Sequence, residues 1–266
     1  MADMRLTAIG WRAHAALTAS GGVAKVIATL SRSFYAEAAG ELIWIGADDA
    51  ILHPRAVLVT PIIPPASNAS LHLVTAGMKP WRPPPYRREA RPRMLRRVLV
   101  SLGSPRGFAR LWSDDAPDDP ILSRAAPGAR ALADACACDD ASAFVAAAQG
   151  LIGLGEGLTP SGDDYVGGAL FTRKTMRADD PAWEAATNYL VSEAMIRTHP
   201  VSARLLADLA AGEGWAALHD VVGAFGDDDA RAIDQACRAL TTLGSATGWD
   251  LLAGVVAAYG VDGHSR

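Results

Sequence analysis

The chain has 266 residues, with 25 Lys and Arg against 29 Asp and Glu for a formal net charge of −4, and 50% of its positions are hydrophobic. A sequence this long and this apolar buries a core, which excludes a disordered tail, a collagen and a small disulfide scaffold, and its length suits two modest domains. The longest apolar candidate, Leu251 to Tyr259, is broken by Gly254 and falls short of the ~18 residues that span a bilayer, so no membrane association is expected.

In chain order, Arg12 and His14 interrupt the weakly apolar start and no cleavage site follows, which reads as no signal peptide and a cytoplasmic protein. Val23, Lys25, Ile27 and Thr29 alternate with Ala24, Val26, Ala28 and Leu30; with Glu41 to Ile45 and Ala56 to Thr60 they predict strands. Prolines 61, 64 and 65, then 80 and 83 to 85, exclude helix and mark a transition. The densest basic stretch follows, Arg82, Arg87, Arg88, Arg91, Arg93, Arg96 and Arg97, and with few aromatics interleaved it argues against nucleic acid as a partner. Up to residue 112 there are 15 basic and 6 acidic residues; beyond it 10 and 23, a net +9 against −13. Such a split suits either mutual attraction or a basic part that meets an anion.

Beyond the prolines the texture turns to Ala and Leu at helical spacing. Asp140 caps a helix from Ala141 to Gln149; Asp180 and Pro181 open one from Trp183 to Thr198; Pro200 opens Val201 to Ala211; Asp229 begins one that Gly244 stops. Cys136, Cys138 and Cys237 form neither a disulfide framework nor a zinc spacing, and read as reduced thiols. The expected fold is α+β, with a β-rich part over residues 1–98 and a helical part over 99–266.

One segment stands apart. Gly153, Gly155 and Gly157 alternate before Thr159, Pro160, Ser161, Gly162, Asp163 and Asp164. Glycines allow positive φ and bring N–H groups close to a ligand. Ser161 reads as an N-cap with Asp164 closing a capping box, so a glycine-rich loop enters a helix N-terminus, the geometry of an anion site. The aspartates would repel a phosphate placed on them, which a Mg2+ ion held by Asp163, Asp164 and Asp250 would reconcile. The same residues also fit a tight turn with two carboxylates serving the helix dipole. Arg197 and Thr198 lie at a helix junction where a guanidinium and a hydroxyl can face an anion. Thr247, Gly248 and Asp250 repeat the glycine, hydroxyl and carboxylate chemistry at another helix start.

These residues resemble the AllH family, a subunit of oxamate carbamoyltransferase, whose hallmark run Gly-Leu-Gly-Pro-Gly-Leu-Thr-Pro-Ser-Gly-Asp-Asp is matched from Gly153 to Asp164 except that Glu156 replaces the proline. An Arg-Thr stretch and a Gly, Ser/Thr, Gly, Asp, Leu-Ala-Gly stretch follow in the family's order; His199 stands where another small hydroxyl residue is expected. The resemblance implies phosphorolysis of oxalurate to oxamate and carbamoyl phosphate, with partner subunits and two small anions, substrate and phosphate. On it, Gly153, Gly155, Gly157, Thr159, Ser161, Gly162, Thr198, Thr247 and Gly248 are expected to bind anion, and Asp163, Asp164 and Arg197 to be catalytic. Alanine at Asp163 is then expected to abolish activity with the fold intact. Two other classes stay open: a Mg2+-dependent hydrolase of a phosphorylated or nucleotide substrate, and a scaffold subunit, since His14, His53, His72, His219 and His264 match no catalytic spacing.

Overall fold

The computed structural model describes residues 4–84, 98–99, 101–112, 119–177, 180–227 and 229–259. The arginines from 87 to 97 and His264 lie outside the described residues. The chain divides into two compact units, Met1–Pro84 and Pro85–Arg266.

The first unit is a six-stranded sheet with one helix. Its elements run β1 (Arg5–Ile9), α1 (Trp11–Ala19), β2 (Val23–Thr29), β3 (Ser33–Ala38), β4 (Glu41–Ala47), β5 (Ala56–Thr60) and β6 (Ser70–His72), in the order β1-β5-β4-β3-β2-β6. Among the described strands only β4 and β5 pair parallel, with Trp44 opposite Ala56 and Ile45 opposite Val57. β2, β4 and β5 fall where alternation and apolar runs placed them. β2 keeps Ala24 and Val26 buried while Val23, Lys25 and Ile27 face out, the period of two that a half-buried strand imposes. Ala13, Ala16 and Leu17 of α1 pack into the same core as Phe34, Ile43, Ile45, Val57 and Val59.

The second unit is helical. A 3-10 turn (Gly107–Trp112) precedes α2 (Pro120–Cys138), α3 (Ala141–Gln149), α4 (Ser161–Met176), α5 (Pro181–Arg197), α6 (Pro200–Ala210), α7 (Ala216–Asp227), α8 (Ala230–Thr241) and α9 (Thr247–Ala258). The expected caps are in place: Asp140 accepts from the N–H groups of Ser142 and Ala143, Asp180 from Ala182 and Asp229 from Arg231. At α6 the cap is His199, whose Nδ1 accepts from the Val201 N–H at 3.2 Å, so the imidazole does the work expected of a hydroxyl there. No helix among the described residues is long and apolar enough to cross a membrane. Together the sheet unit and the helical unit make the fold α+β.

At the centre of the helical unit α4 and α9 are buried along most of their lengths. Glycine sets their closeness. A Cβ on Gly168 would overlap the Leu251 carbonyl oxygen, and one on Gly254 would overlap that of Tyr165. Side chains at these positions would push the axes apart, so the small residues are what lets two backbones touch.

Candidate functional site

The glycine loop folds as its composition requires. Gly153, Gly155 and Gly157 have φ of +79°, +129° and +87°, values an L side chain rarely adopts. Leu154 N–H donates to Leu151 O, and Gly162 N–H donates to Leu154 O at 2.9 Å, so the loop doubles back onto the start of α4. Gly162 has to be glycine because a Cβ would overlap the Leu151 carbonyl oxygen.

Pro160, not Ser161, occupies the N-cap of α4, with φ −53° and ψ 138° and no side-chain cap. The capping box expected between Ser161 and Asp164 does not form. The reason lies in tertiary structure: both carboxylates of the first turn are engaged away from their own helix. Asp163 is 1% exposed. Its Oδ1 accepts from the Gly153 N–H at 2.7 Å; its Oδ2 accepts from the Ser202 hydroxyl at 2.6 Å and from the Thr198 hydroxyl. One carboxylate thus ties the glycine loop to the α5–α6 junction. That junction is the Arg-Thr stretch of the sequence, and the residue that reaches inward is Thr198. Arg197 points outward, half-exposed, with its guanidinium 3.7 Å from Glu193.

Asp164 turns toward α9. That helix starts as α4 does: a hydroxyl at its first residue, glycine second, aspartate fourth and glycine eighth, namely Ser161, Gly162, Asp164 and Gly168 against Thr247, Gly248, Asp250 and Gly254. The packing is reciprocal as well. Gly248 N–H donates to Leu243 O at 2.9 Å as Gly162 donates to Leu154, and Gly168 and Gly254 each press on the backbone of the other helix at its fifth residue. The hydroxyls cross over: Thr247 of α9 serves the Asp164 carboxyl of α4, and Ser161 of α4 serves Asp250 of α9. The two loops that resemble each other in sequence therefore converge, related by a local two-fold between their helix starts.

Burial raises the pKa of both carboxyls, because an ion in a low-dielectric interior loses its hydration. For Asp164 burial is the main cause, with the charges of Asp250 and Asp163 adding to it and the Thr247 hydroxyl opposing; its pKa lies well above the usual carboxylate range. For Asp250 burial outweighs the Phe108 N–H and the Ser161 hydroxyl, and its pKa is pushed up to about 7.

The sequence reading did not include the clamp on Asp250. Its Oδ1 accepts from the Phe108 N–H at 2.6 Å, and Gly107, at φ +50°, leaves the space that a Cβ would deny it. Phe108 in turn stacks on Tyr165 at 4.8 Å, next to Asp164 on α4. Arg106, beside them, donates to the Ser245 carbonyl at 3.3 Å and puts a guanidinium at the start of α9. Ser202 was missed too. A hydroxyl two residues after Pro200 in a helix start was its signal; Gly107 and Phe108 carry none.

Among the described residues no group of three or more His, Cys, Asp and Glu is arranged to hold a metal ion. Asp163 does not suit the cation role, since three protein donors already occupy its oxygens. Gly157 is exposed and Thr159 half-buried.

Residues 151–259 match the family model described as oxamate carbamoyltransferase subunit AllH. The resemblance read from the glycine loop therefore holds over this segment, which carries Asp163, Asp164 and Asp250; the clamp of Gly107 and Phe108 lies outside it. No curated protein and no solved structure matches the chain.

Proposed function

Starting from the AllH match of the segment that holds the paired helix starts, we propose that the chain is a subunit of a cytoplasmic, oxamate carbamoyltransferase-like enzyme acting on oxalurate and phosphate. The observation that carries the reading is the coincidence of that match with a convergent pair of helix N-termini over two buried carboxyls. In the reaction a phosphate oxygen bonds to the carbamoyl carbon, the bond from that carbon to the oxamate nitrogen breaks, and the proton that phosphate gives up ends on the departing nitrogen.

Two anions have to meet. Their repulsion is offset where two helix dipoles, loop N–H groups and hydroxyls point at one place. The Gly155 to Ser161 stretch serves one anion; Thr247 and Gly248, with Arg106 beside them, serve the second. Asp164 and Asp250, whose pKa values burial raises, add less negative charge there than ordinary carboxylates would. Asp163 positions the loop. The cytoplasmic assignment draws on three free cysteines, of which Cys136 and Cys237 are buried with pKa pushed up to about 12. A Mg2+-dependent hydrolase draws less support, because Asp163 is already saturated by protein donors.

The test is carbamoyl phosphate production from oxalurate and phosphate by the assembly that co-purifies with the chain, compared with an Asp164→Asn assembly of equal composition. Product that falls at least tenfold in the variant supports the reading. No product from the intact assembly overturns it.

A further inference from the structure

Asp163 shows how this protein treats a structural carboxylate in its interior: every oxygen receives a donor. Asp164 and Asp250 are treated differently. They are 3% and 1% exposed, yet Oδ2 of each has no hydrogen-bond partner among the described residues. A buried acceptor without a donor destabilises the fold, and such groups are rare enough that each calls for a cause. Here there are two, on facing helices, close enough that the charge of one acts on the other.

The chemistry of a ligand that would complete them is narrow. It must bring two donors to two acceptors. A metal ion fits poorly, because no third ligand is grouped with them among the described residues. A cation of any kind is further disfavoured by the position, since the two helices present their positive ends there. A neutral group with two N–H bonds on one atom fits both the count and the field. That group is a primary amide.

We propose that Asp164 and Asp250 recognise the –NH2 of a carbamoyl group, each Oδ2 accepting one of its two N–H bonds, so that this pair selects carbamoyl over acyl compounds. The inference rests on the reading that the site handles a carbamoyl compound, and it assigns the specificity of that site to the bare carboxyl oxygens instead of the glycine loop. A methyl group in place of –NH2 would leave both acceptors unpaired and buried, and sites built to hydrogen-bond a substrate group discriminate strongly against analogues that lack it.

Carbamoyl phosphate and acetyl phosphate supply the test, because they share an acyl phosphate and differ in carrying –NH2 or –CH3. Their dissociation constants for the full chain are measured by titration calorimetry for the wild type, Asp250→Asn and Asp164→Ala. Asp250→Asn is the sharper variant: the Phe108 N–H holds the oxygen of the new amide at the Oδ1 position, which places an N–H2 donor where Oδ2 was. The expected result is carbamoyl phosphate at least tenfold tighter than acetyl phosphate in the wild type, with the ratio falling toward one in both variants while circular dichroism shows them folded. Equal affinities in the wild type, a ratio unchanged in either folded variant, or binding of neither compound overturns the proposal and leaves the two oxygens facing buried water only. A carbamoyl phosphate preference lost in Asp250→Asn, with an assembly that makes no carbamoyl phosphate from oxalurate and phosphate, would keep this inference and remove the reaction; the converse would remove this inference alone.

Discussion

The starts of α4 and α9 share four positions and differ at one that matters, the third. Ser161-Gly162-Asp163-Asp164 has an aspartate there; Thr247-Gly248-Trp249-Asp250 has a tryptophan. Asp163 reaches into a polar network of Gly153, Thr198 and Ser202, whereas Trp249 is buried beside Trp112, ring centroids 6.4 Å apart. The shared positions make the crossing: glycines let the backbones meet, and each hydroxyl serves the other helix's carboxyl. The unshared position makes the two ends unequal. One end is wired to a glycine loop, the other anchored in apolar packing, and a site for two different anions needs such inequality.

The comparison breaks most severely at Asp163. Alanine there strips an acceptor from three donors at once, the buried Ser202 hydroxyl and the half-buried Gly153 N–H and Thr198 hydroxyl, at about 1–3 kcal/mol for a buried unpaired donor and less for the others, so a loss of about 4 kcal/mol is expected in urea denaturation. The expectation that Asp163→Ala spares the fold is therefore replaced by one of marked destabilisation. A midpoint within experimental error of the wild type would show that the network is not what holds the loop. Asp250 gives the next effect, and its sign is the reverse of the usual carboxylate. Its pKa is raised to about 7 in the folded chain from about 4 unfolded, so the folded state holds the extra proton between those values. The stability it contributes is full below about pH 4 and is lost as pH rises to about 7, a fall of about 4 kcal/mol to which Asp164 adds in the same direction. Asp250→Asn should flatten that fall and stabilise the chain at neutral pH; an unchanged slope in the variant would refute the raised pKa. Third come the crossing glycines. Gly168→Ala and Gly254→Ala should each cost about 2–3 kcal/mol, and by similar amounts if the local two-fold holds, because each Cβ overlaps a backbone oxygen that cannot swing aside. A cost confined to one of them would mean that the crossing is not reciprocal.

What the sequence disclosed follows the range of the interactions involved. Strand β2 was legible from its alternation, and α3, α5 and α8 from Asp140, Asp180 and Asp229, because these are signals within one or two turns. β3 was not, since Ser33 to Ala36 are buried on both faces and leave no alternation to read. α1 was not either: it opens at Gly10 with no side-chain cap, and Arg12 and His14 break its apolar stripe. Pro127 and Gly128 hid α2, although Asp119 caps it in the ordinary way and Gly128 serves as a close seat for Leu151. At the site, the positive-φ glycines and the hydroxyl-glycine-aspartate pattern of both loops were visible. That the two loops meet was not, because no local signal records which distant helix a carboxylate will face, and the same blindness turned Ser161 into a cap that Pro160 provides.

The smallest expected effect separates two adjacent residues that the sequence treats as one motif. Thr198 donates to Asp163 from a half-buried position, while the neighbouring Arg197 is exposed and pairs with Glu193 across one helical turn. Exposed pairs of that kind contribute about 0.3–0.5 kcal/mol, so Arg197→Ala should shift the urea midpoint by no more than that. Thr198→Val keeps the side chain's shape and removes its donor to a buried carboxylate, an interaction worth about 1.5–3 kcal/mol for a charged acceptor. The ratio of the two losses measures how the Arg-Thr stretch works: through the threonine, as a strut that fixes the glycine loop against the α5–α6 junction. If Arg197→Ala costs as much as Thr198→Val, the guanidinium has an inward partner in solution, and the second anion belongs beside it and not beside Arg106.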